Sequence, residues 1–209
     1  MASKTTLRHI ALTLGLCLLV FAAFIPQPAA AAGTPGKTQT LPDLDSFIQS
    51  VGNGDAHTVR GVYTDGLFAL PVVQQPSRDS SFVSTVPDTL TQFGLPLAYG
   101  NIGLLAHDFL AGAYFSQLST GREIQVVYGN GRIDDFIVTQ IERYQATDPT
   151  STYSKFIDLD TQQVLSSTDL FKKVYTGPTH VTFQTCIEKN GNSSWGRLFV
   201  IAEPQPSIP

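Results

Sequence analysis

Eight short runs of β-forming residues follow one another along most of this chain, and they constrain its fold more than any other feature. Each run is rich in Val, Ile, Phe, Tyr and Thr, which fit a pleated, half-buried strand. Clusters of Gly, Pro, Asn and Asp separate the runs. They read TVRGVY, LFALPVV, GNIGLLAH, EIQVVY, DFIVTQIERYQA, YSKFIDLD, HVTFQTCI and RLFVIAEP. The pattern predicts a mainly β domain, either an antiparallel barrel or a sandwich.

Two local signals between the runs are sharper than the rest. In the segment YGNGRID, Asn130 and Gly131 suit the positive φ of a tight hairpin turn between two apolar strands. Near the start of the domain, Asp43 is a typical helix N-cap, and the apolar residues from Leu44 to Val51 recur at helical spacing. A hairpin and a short amphipathic helix are therefore predicted.

Two further segments between the runs are less regular. A second short helix is predicted over residues 109–118. Residues 161–178 are predicted to form a long loop with one helical turn near residues 169–173. Because long ordered loops tend to carry function, this loop is of interest for binding.

The first 32 residues have the composition of an export signal. Lys4 and Arg8 precede an apolar run from Ile10 to Ile25, and the small residues 29–32 follow it. The run is shorter than the ~20 apolar residues of a spanning helix, so cleavage is favoured over retention as an N-terminal membrane anchor. We expect an exported protein, either extracellular or on the outer face of the cell membrane.

The rest of the chain divides by composition. A linker rich in Gly, Pro and Thr and the first short helix occupy residues 33–56, the β domain occupies 57–203, and a tail occupies 204–209.

With 42% hydrophobic and 14% charged residues, the chain can bury one sizeable core. Loss of residues 1–32 would leave 11 Lys and Arg against 17 Asp and Glu, so nucleic acid is excluded as a partner. No metal-ligand spacing, phosphate-binding glycine loop or dinucleotide fingerprint is found, so neither a metal nor a cofactor is predicted.

Cysteine usage draws attention to one residue. Cys17 lies inside the apolar N-terminal run, so cleavage would leave Cys186 as a single thiol in an exported protein. Such a thiol is either an inert core residue or a reactive one. Strand alternation places Thr182, Gln184 and Cys186 on one face, with Cys186 at the strand's end beside a loop. That position favours partial exposure.

A reactive thiol needs a base or a nearby cation, because an ordinary thiol is only a few per cent ionised at neutral pH. His57 lies in a turn, and His180 is six residues before Cys186 on one extended strand, roughly 20 Å away. His107 ends an apolar run. Arg197 follows Cys186 at a spacing that fits a hairpin pairing the two strands. The alternative for Arg197 is an ordinary surface ion pair.

These residues resemble the sortases, a family of cysteine transpeptidases. TFQTC, ending at Cys186, resembles the family's T-L-x-T-C strand, and RLFVIA, beginning at Arg197, resembles the strand with its essential Arg. PLAYGNIGLLAHDFLAGAYFSQL resembles the segment in which a His ends an apolar run. TGREI and LFALPVV resemble a Gly-Asp-x-Ile turn and an early Pro-Val strand. The chain departs from the pattern at Phe183, Arg122 and Ala106, which leaves the subclass open.

The resemblance implies a closed eight-stranded sortase-like β-barrel with one or two short helices, and it makes residues 57–203 a catalytic domain. It implies Cys186 as the nucleophile, His107 as its acid/base partner and Arg197 as the group that holds the substrate carbonyl or oxyanion. Further candidates for substrate binding are Thr185 at the oxyanion, Asp169, Phe171, Tyr175 and Pro178 from the long loop, and Trp195 near the Arg.

The implied reaction cleaves an LPxTG-type sorting signal between Thr and Gly through a thioester acyl-enzyme. The implied partners are surface proteins with a C-terminal sorting motif and a cell-wall or pilin amine as acceptor, with membrane contact only through an uncleaved N-terminal segment. Two alternatives stay open: a secreted cysteine endopeptidase with the same site, and a non-catalytic β-barrel module that binds a peptide or glycan and in which Cys186 is incidental.

Overall fold

A computed structural model describes residues 41–151 and 153–206. The predicted export signal, residues 1–32, and most of the linker lie outside the described residues, as does the end of the tail. Over the described ranges, no helix has the length and apolar character needed to cross a bilayer. The domain boundaries proposed above therefore stay predictions.

The described part of the chain forms ten strands and four short helical segments. The strands are β1 Val59–Thr64, β2 Phe68–Gln74, β3 Leu90–Phe93, β4 Ile102–Leu105, β5 Glu123–Tyr128, β6 Ile133–Ala146, β7 Phe156–Asp158, β8 Val164–Leu165, β9 Val181–Lys189 and β10 Asn192–Pro204. The helical segments are α1 Leu44–Val51, α2 Gly94–Leu97, a 3-10 helix Ala111–Gln117 and α3 Ser167–Tyr175.

Eight of the strands close into a barrel. Their order is β10-β9-β4-β3-β2-β1-β5-β6, and β6 pairs again with β10. Six of the eight pairings are antiparallel, while β2–β3 and β4–β9 are parallel. The predicted closed eight-stranded barrel is confirmed. Closure removes the unpaired edges that an open sheet of this size would expose.

The period of two seen in the sequence separates the two faces of the barrel wall. On β9, Val181 and Phe183 point into the core and are fully buried, and on β10 Leu198 and Val200 do the same. The alternate residues face outward and meet α3, which packs across the outside of β9 and β10. A second apolar cluster therefore lies between α3 and the outer wall, formed by Leu170, Val174 and Tyr175 of α3 and by Tyr144, Phe199 and Ile201 of the wall.

The strand prediction fails in two places. The run YSKFIDLD forms only the short strand β7, which pairs with β6 and β8 outside the barrel. The barrel strand missing from the prediction is β3, which contains the buried polar residues Thr91 and Gln92 and so lacks an apolar alternation. A buried strand whose polar side chains find partners inside the fold has no hydrophobic signal.

The helices also differ from the prediction of one or two. Asp43 does cap α1, because its carboxylate accepts the Ser46 N–H at 2.8 Å. The expected helix over 109–118 is a 3-10 helix. The expected loop over 161–178 contains the strand β8 and the nine-residue helix α3. The hairpin between β5 and β6 is confirmed, with positive φ at Gly131. Asn130 does not share that conformation, and its side chain accepts the Arg132 N–H instead.

Candidate active site

The C-terminal hairpin brings two of the three predicted catalytic residues together. Across the antiparallel pair β9–β10, Cys186 is the direct partner of Arg197, and Gln184 is the partner of Phe199. Directly opposed residues project from the same face of a sheet with Cβ atoms about 5 Å apart. The sulfur and the guanidinium therefore leave the barrel wall side by side on its outer face.

The parallel pair β4–β9 supplies the histidine. The paired register ends at Leu105 opposite Gln184, and one residue further the Ala106 N–H donates to the Gln184 carbonyl at 3.2 Å. The Thr185 hydroxyl then donates to the Ala106 carbonyl at 2.9 Å. His107 follows immediately, level with Cys186 if the register is continued. Because β9 lies between β10 and β4, Cys186 has Arg197 on its β10 side, and the segment that follows β4 begins on its other side.

The thiol of Cys186 is half-buried and free of any disulfide. Burial raises the pKa of this thiol, Arg197 counteracts the rise by stabilising the thiolate, and Asp108 adds to it through its negative charge. The resting site therefore favours the protonated thiol. A nucleophilic thiolate then needs a base close by, and His107, in the segment that follows β4, is the predicted candidate.

Arg197 is held by its own strand. Its Nη1 donates to the Gly196 carbonyl at 2.8 Å and to the Ser194 carbonyl at 3.2 Å. Among the described residues, no carboxylate lies within 4.0 Å of its guanidinium nitrogens. The predicted alternative of an ordinary surface ion pair does not occur in this conformation. A guanidinium in this state can offer its charge to an oxyanion.

The segment around His107 is fixed by its backbone. The His107 carbonyl accepts the N–H groups of Leu110 and Gly112, both at 3.0 Å, at the start of the 3-10 helix. The imidazole ring stacks on Phe109, with 5.3 Å between ring centroids and 23° between ring planes. Phe109 is 73% exposed. The ring of His107 is thus half-buried and supported on one face, while its position is set by main-chain bonds.

A groove of about 340 Å³ lies between α3 and the outer face of the barrel. Arg197 and Gln184 line it together with a largely apolar and aromatic surface, and Arg197 is its one charged lining residue. The other lining residues are Ser80, Phe93, Leu105, Ser151, Phe156, Ser167, Leu170, Phe171, Val174, Tyr175 and Phe199. The lining of the groove suits apolar side chains, with Arg197 as a charged group among them.

A second cavity, of about 280 Å³, opens at the Cys186 side. Asp108 and Arg143 contribute the charged groups, and Thr185 also lines it. Its remaining walls are apolar or small residues of the 3-10 helix, β9, β10 and Leu159. The described residues contain no group of three or more His, Cys, Asp or Glu side chains arranged to bind a metal ion.

The predicted substrate-binding residues do not all lie at the same place in the structure. Phe171 and Tyr175 line the groove. Thr185 is 5% exposed, and its hydroxyl is engaged by Ala106. The carboxylate of Asp169 accepts the Ser166 hydroxyl at 2.6 Å at the N-terminus of α3. Trp195 lies 4.4 Å from the Lys189 ammonium on the hairpin, measured to the ring centroid.

Pro178 lies apart from the groove. It lines a separate cavity of about 160 Å³ with Lys173, His180 and Glu203.

Two residues near the thiol, Gln184 and Asp108, were not predicted from the sequence to belong to the site. The strand alternation already placed Gln184 on the same face as Cys186. Asp108 directly follows the predicted histidine, His107, in the sequence. Only the folded chain shows that Asp108 approaches the sulfur.

The geometry so far defines a closed β-barrel with a cysteine, a histidine and an arginine on three adjacent chain segments. No protein-family profile matches this sequence, and no curated protein sequence is similar to it. Solved structures with a similar fold include sortase A of Listeria monocytogenes, with 13% identity and a TM-score of 0.47 over 71% of this chain and 87% of that one.

Two further sortases show the same level of similarity. Sortase A of Corynebacterium diphtheriae has 16% identity and a TM-score of 0.48 over 72% of this chain and 62% of that one. A sortase D5 transpeptidase of Clostridium perfringens has 15% identity and a TM-score of 0.44 over 78% of this chain and 86% of that one. These proteins belong to the family that the sequence motifs resemble, and the similarity concerns the fold.

Proposed function

We propose that this chain is an exported, sortase-like cysteine transpeptidase with Cys186 as nucleophile. The observation that carries the proposal is the order β10-β9-β4, which puts Arg197 directly opposite Cys186 and starts the His107 segment beside it. These residues would supply the three groups that acyl transfer requires: a thiol, an imidazole, and a guanidinium that has no carboxylate partner among the described residues.

The proposed reaction has two halves. In the first, His107 takes the proton of the Cys186 thiol, and the sulfur attacks a peptide carbonyl carbon while Arg197 stabilises the oxyanion. The C–N bond breaks, the leaving amine takes the proton from His107, and a thioester remains on Cys186. In the second half an acceptor amine attacks the thioester, gives a proton to His107, and the C–S bond breaks. The proton then returns to the sulfur.

The groove supports a peptide substrate with apolar residues before the scissile bond. Its aromatic and aliphatic lining suits side chains such as Leu and Pro, and Arg197 supplies a charged donor for a carbonyl oxygen. We propose an LPxTG-type sorting signal cleaved between Thr and Gly, carried by surface proteins, with a cell-wall or pilin amine as acceptor. The protein would act at the outer face of the cell membrane or outside the cell.

Intact-mass analysis of the protein incubated with a library of sorting-motif peptides tests the proposal. The expected result is a mass increase equal to the acyl fragment, located on Cys186 and absent in Cys186→Ala. Addition of a small amine should release a transpeptidation product. Release only by water would identify the endopeptidase instead.

The binding-module alternative has its own test. If Cys186 is incidental, an alkylating reagent labels it no faster than in the unfolded chain, and Cys186→Ala binds the same peptides without loss. Absence of any adduct together with slow alkylation would overturn the transpeptidase proposal.

A further inference from the structure

A second histidine of the fold lies outside the proposed catalytic site and is almost completely buried. His180, just before β9, is 7% exposed. Its Nδ1 lies 2.7 Å from the Pro178 carbonyl oxygen, and its Nε2 lies 3.0 Å from the Val174 carbonyl oxygen. Both neighbours are hydrogen-bond acceptors. Each ring nitrogen therefore needs a proton to make its contact.

The neutral ring cannot make both contacts. Neutral imidazole carries one N–H, so one nitrogen would present its lone pair to a carbonyl oxygen. The imidazolium ion donates from both nitrogens and satisfies the two carbonyls together. The Val174 carbonyl belongs to the last turn of α3, the negative end of the helix dipole, which also favours a cation there.

Two other buried side chains also bind the C-terminal end of α3. The Thr182 hydroxyl donates to the Val174 carbonyl at 2.6 Å, and the Asn101 amide donates to the Tyr175 carbonyl at 3.1 Å. Asn101 also accepts the His180 N–H at 2.9 Å. The C-terminal turn of α3 is thus bound to the barrel through buried side chains.

Two charged residues line the small cavity beside His180. Lys173 comes from α3, and its ammonium is 2.9 Å from a carboxylate oxygen of Glu142. Glu203 comes from β10 and is exposed. The remaining polar partners, Asn101 before β4 and Gln140 on β6, are uncharged. An exposed carboxylate and a neutralised ammonium do not oppose a cation on His180.

We propose that His180 is a positioning residue whose charged form holds α3 against the barrel and so sets the wall of the groove. α3 carries Phe171 and Tyr175, and the Tyr175 hydroxyl donates to Gln184 at 2.6 Å, two residues before the thiol on the same face. As the pH rises and the ring loses its proton, one of its two carbonyl contacts is lost. The groove wall then loosens, and peptide binding weakens before chemistry is affected.

The charge state can be measured on the full chain without any substrate. In ¹⁵N-histidine-labelled protein, long-range ¹H–¹⁵N correlations distinguish an imidazolium from either neutral tautomer. At about pH 5.5 we expect both ring nitrogens of His180 to be protonated, because each faces a carbonyl oxygen. A neutral tautomer at that pH would overturn the proposal, whether or not any variant folds.

The effect on α3 is measured by amide hydrogen exchange. After correction for intrinsic rates, protection of the α3 amides should fall about tenfold between pH 5.5 and pH 8.5, the worth of one hydrogen bond to a charged group. The amides of α1 should show no such fall. In His180→Gln, which keeps one donor group, the pH dependence should disappear, while His57→Gln at an exposed turn should behave as the unmodified protein. The same pH dependence in His180→Gln would contradict the proposal.

The consequence for turnover rests on the proposed function. There, KM for a sorting-motif peptide should rise with pH in the unmodified chain and stay flat in His180→Gln, with kcat changed less. If no thioester forms, the proposed function fails, while the nitrogen spectra and α3 protection still decide the role of His180.

Discussion

The two ends of the parallel pair β4–β9 differ in whether their polar side chains are buried and hydrogen-bonded. At the start of the pair, Asn101, His180 and Thr182 are buried, and every side chain among them is hydrogen-bonded to the barrel or to α3. At its end, His107 and Cys186 are half-buried, and neither ring nor sulfur has a hydrogen-bond partner among the described residues.

The difference follows from what each end must do. Buried polar groups cost free energy unless they are paired, so the start of the pair gains rigidity from its complete network. Under the proposed function, Cys186 and His107 must keep their donor and acceptor capacity for the substrate, and at the other end of the pair that capacity is unused. Substitutions at the start should therefore change stability, and substitutions at the end should change chemistry.

The largest expected effect is on chemistry at the reactive end. Cys186→Ala and His107→Ala should each lower kcat/KM by about 10³-fold or more, because each removes a group that forms or breaks bonds. The free energy of unfolding from urea titration should change by less than about 1 kcal/mol, since neither side chain is fully buried. His57→Ala is the control and should match the unmodified protein. If either variant lost its activity because it was largely unfolded, the contrast between the two ends of the pair would be contradicted.

The next effect is on stability at the buried end. Asn101→Ala removes the partners of the Tyr175 carbonyl and the His180 N–H, and should lower the free energy of unfolding by about 2–4 kcal/mol. Urea titration measures the loss. Asn130→Ala at the exposed hairpin should cost less than about 1 kcal/mol. The alkylation rate of Cys186 in folded Asn101→Ala should be unchanged; an altered rate would show that the two ends are coupled.

A glycine beside Thr185 and the proposed base His107 should link both effects. A Cβ at Gly112 would collide with the Thr185 hydroxyl and the His107 carbonyl. Gly112→Ala should cost about 1–3 kcal/mol through overpacking and should also displace His107, so thioester formation falls in molecules that remain folded. Gln117→Ala, an exposed position in the same 3-10 helix, is the control. Full activity in folded Gly112→Ala would mean that the His107 backbone position is not critical.

The smallest effect concerns the acidity of the thiol. Asp108→Asn removes a charge that raises the pKa of Cys186, so the thiolate fraction and the alkylation rate at neutral pH should increase. Arg197→Gln removes a charge that lowers this pKa, so the rate should decrease. Each change should be less than tenfold, corresponding to less than about one pKa unit. The pH profile of alkylation measures both, with Asp45→Asn as control. Shifts in the same direction for both variants would contradict these electrostatic roles.

The sequence predicted well what local pairing controls. Seven of the eight runs became barrel strands, and the spacing of Cys186 and Arg197 correctly gave their hairpin pairing. The register of a hairpin follows from its turn and from the alternation of its two strands. It can therefore be predicted from a few consecutive residues. The loop that proved to contain α3 also had a readable signal: Ser166 and Asp169 form its N-cap, and the buried residues Leu170 and Val174 follow at helical spacing.

The position of His107 was a different problem. Its predicted approach to Cys186 depends on the parallel pairing of β4 with β9, which joins residues 79 positions apart, such as Ala106 and Thr185. Nothing in either strand's alternation specifies that partner, and the sequence supported it only through the family resemblance. The same holds for His180, whose position as the first residue of a predicted strand gave no sign that α3 would cover it.

The sequence by itself determined the β character of the chain, its hairpins and the face of the strand that carries Cys186, because strand propensity, turn residues and alternation act over a few neighbouring positions. The prediction that Cys186 ends its strand was wrong, because β9 continues to Lys189 and pairs with β10 beyond the cysteine. Only the tertiary structure decided which strands lie side by side, and with that which polar groups are paired and which remain free to react. Closing a barrel fixes all neighbours at once, and a pairing between distant segments is selected by the packing of the whole wall rather than by either segment alone.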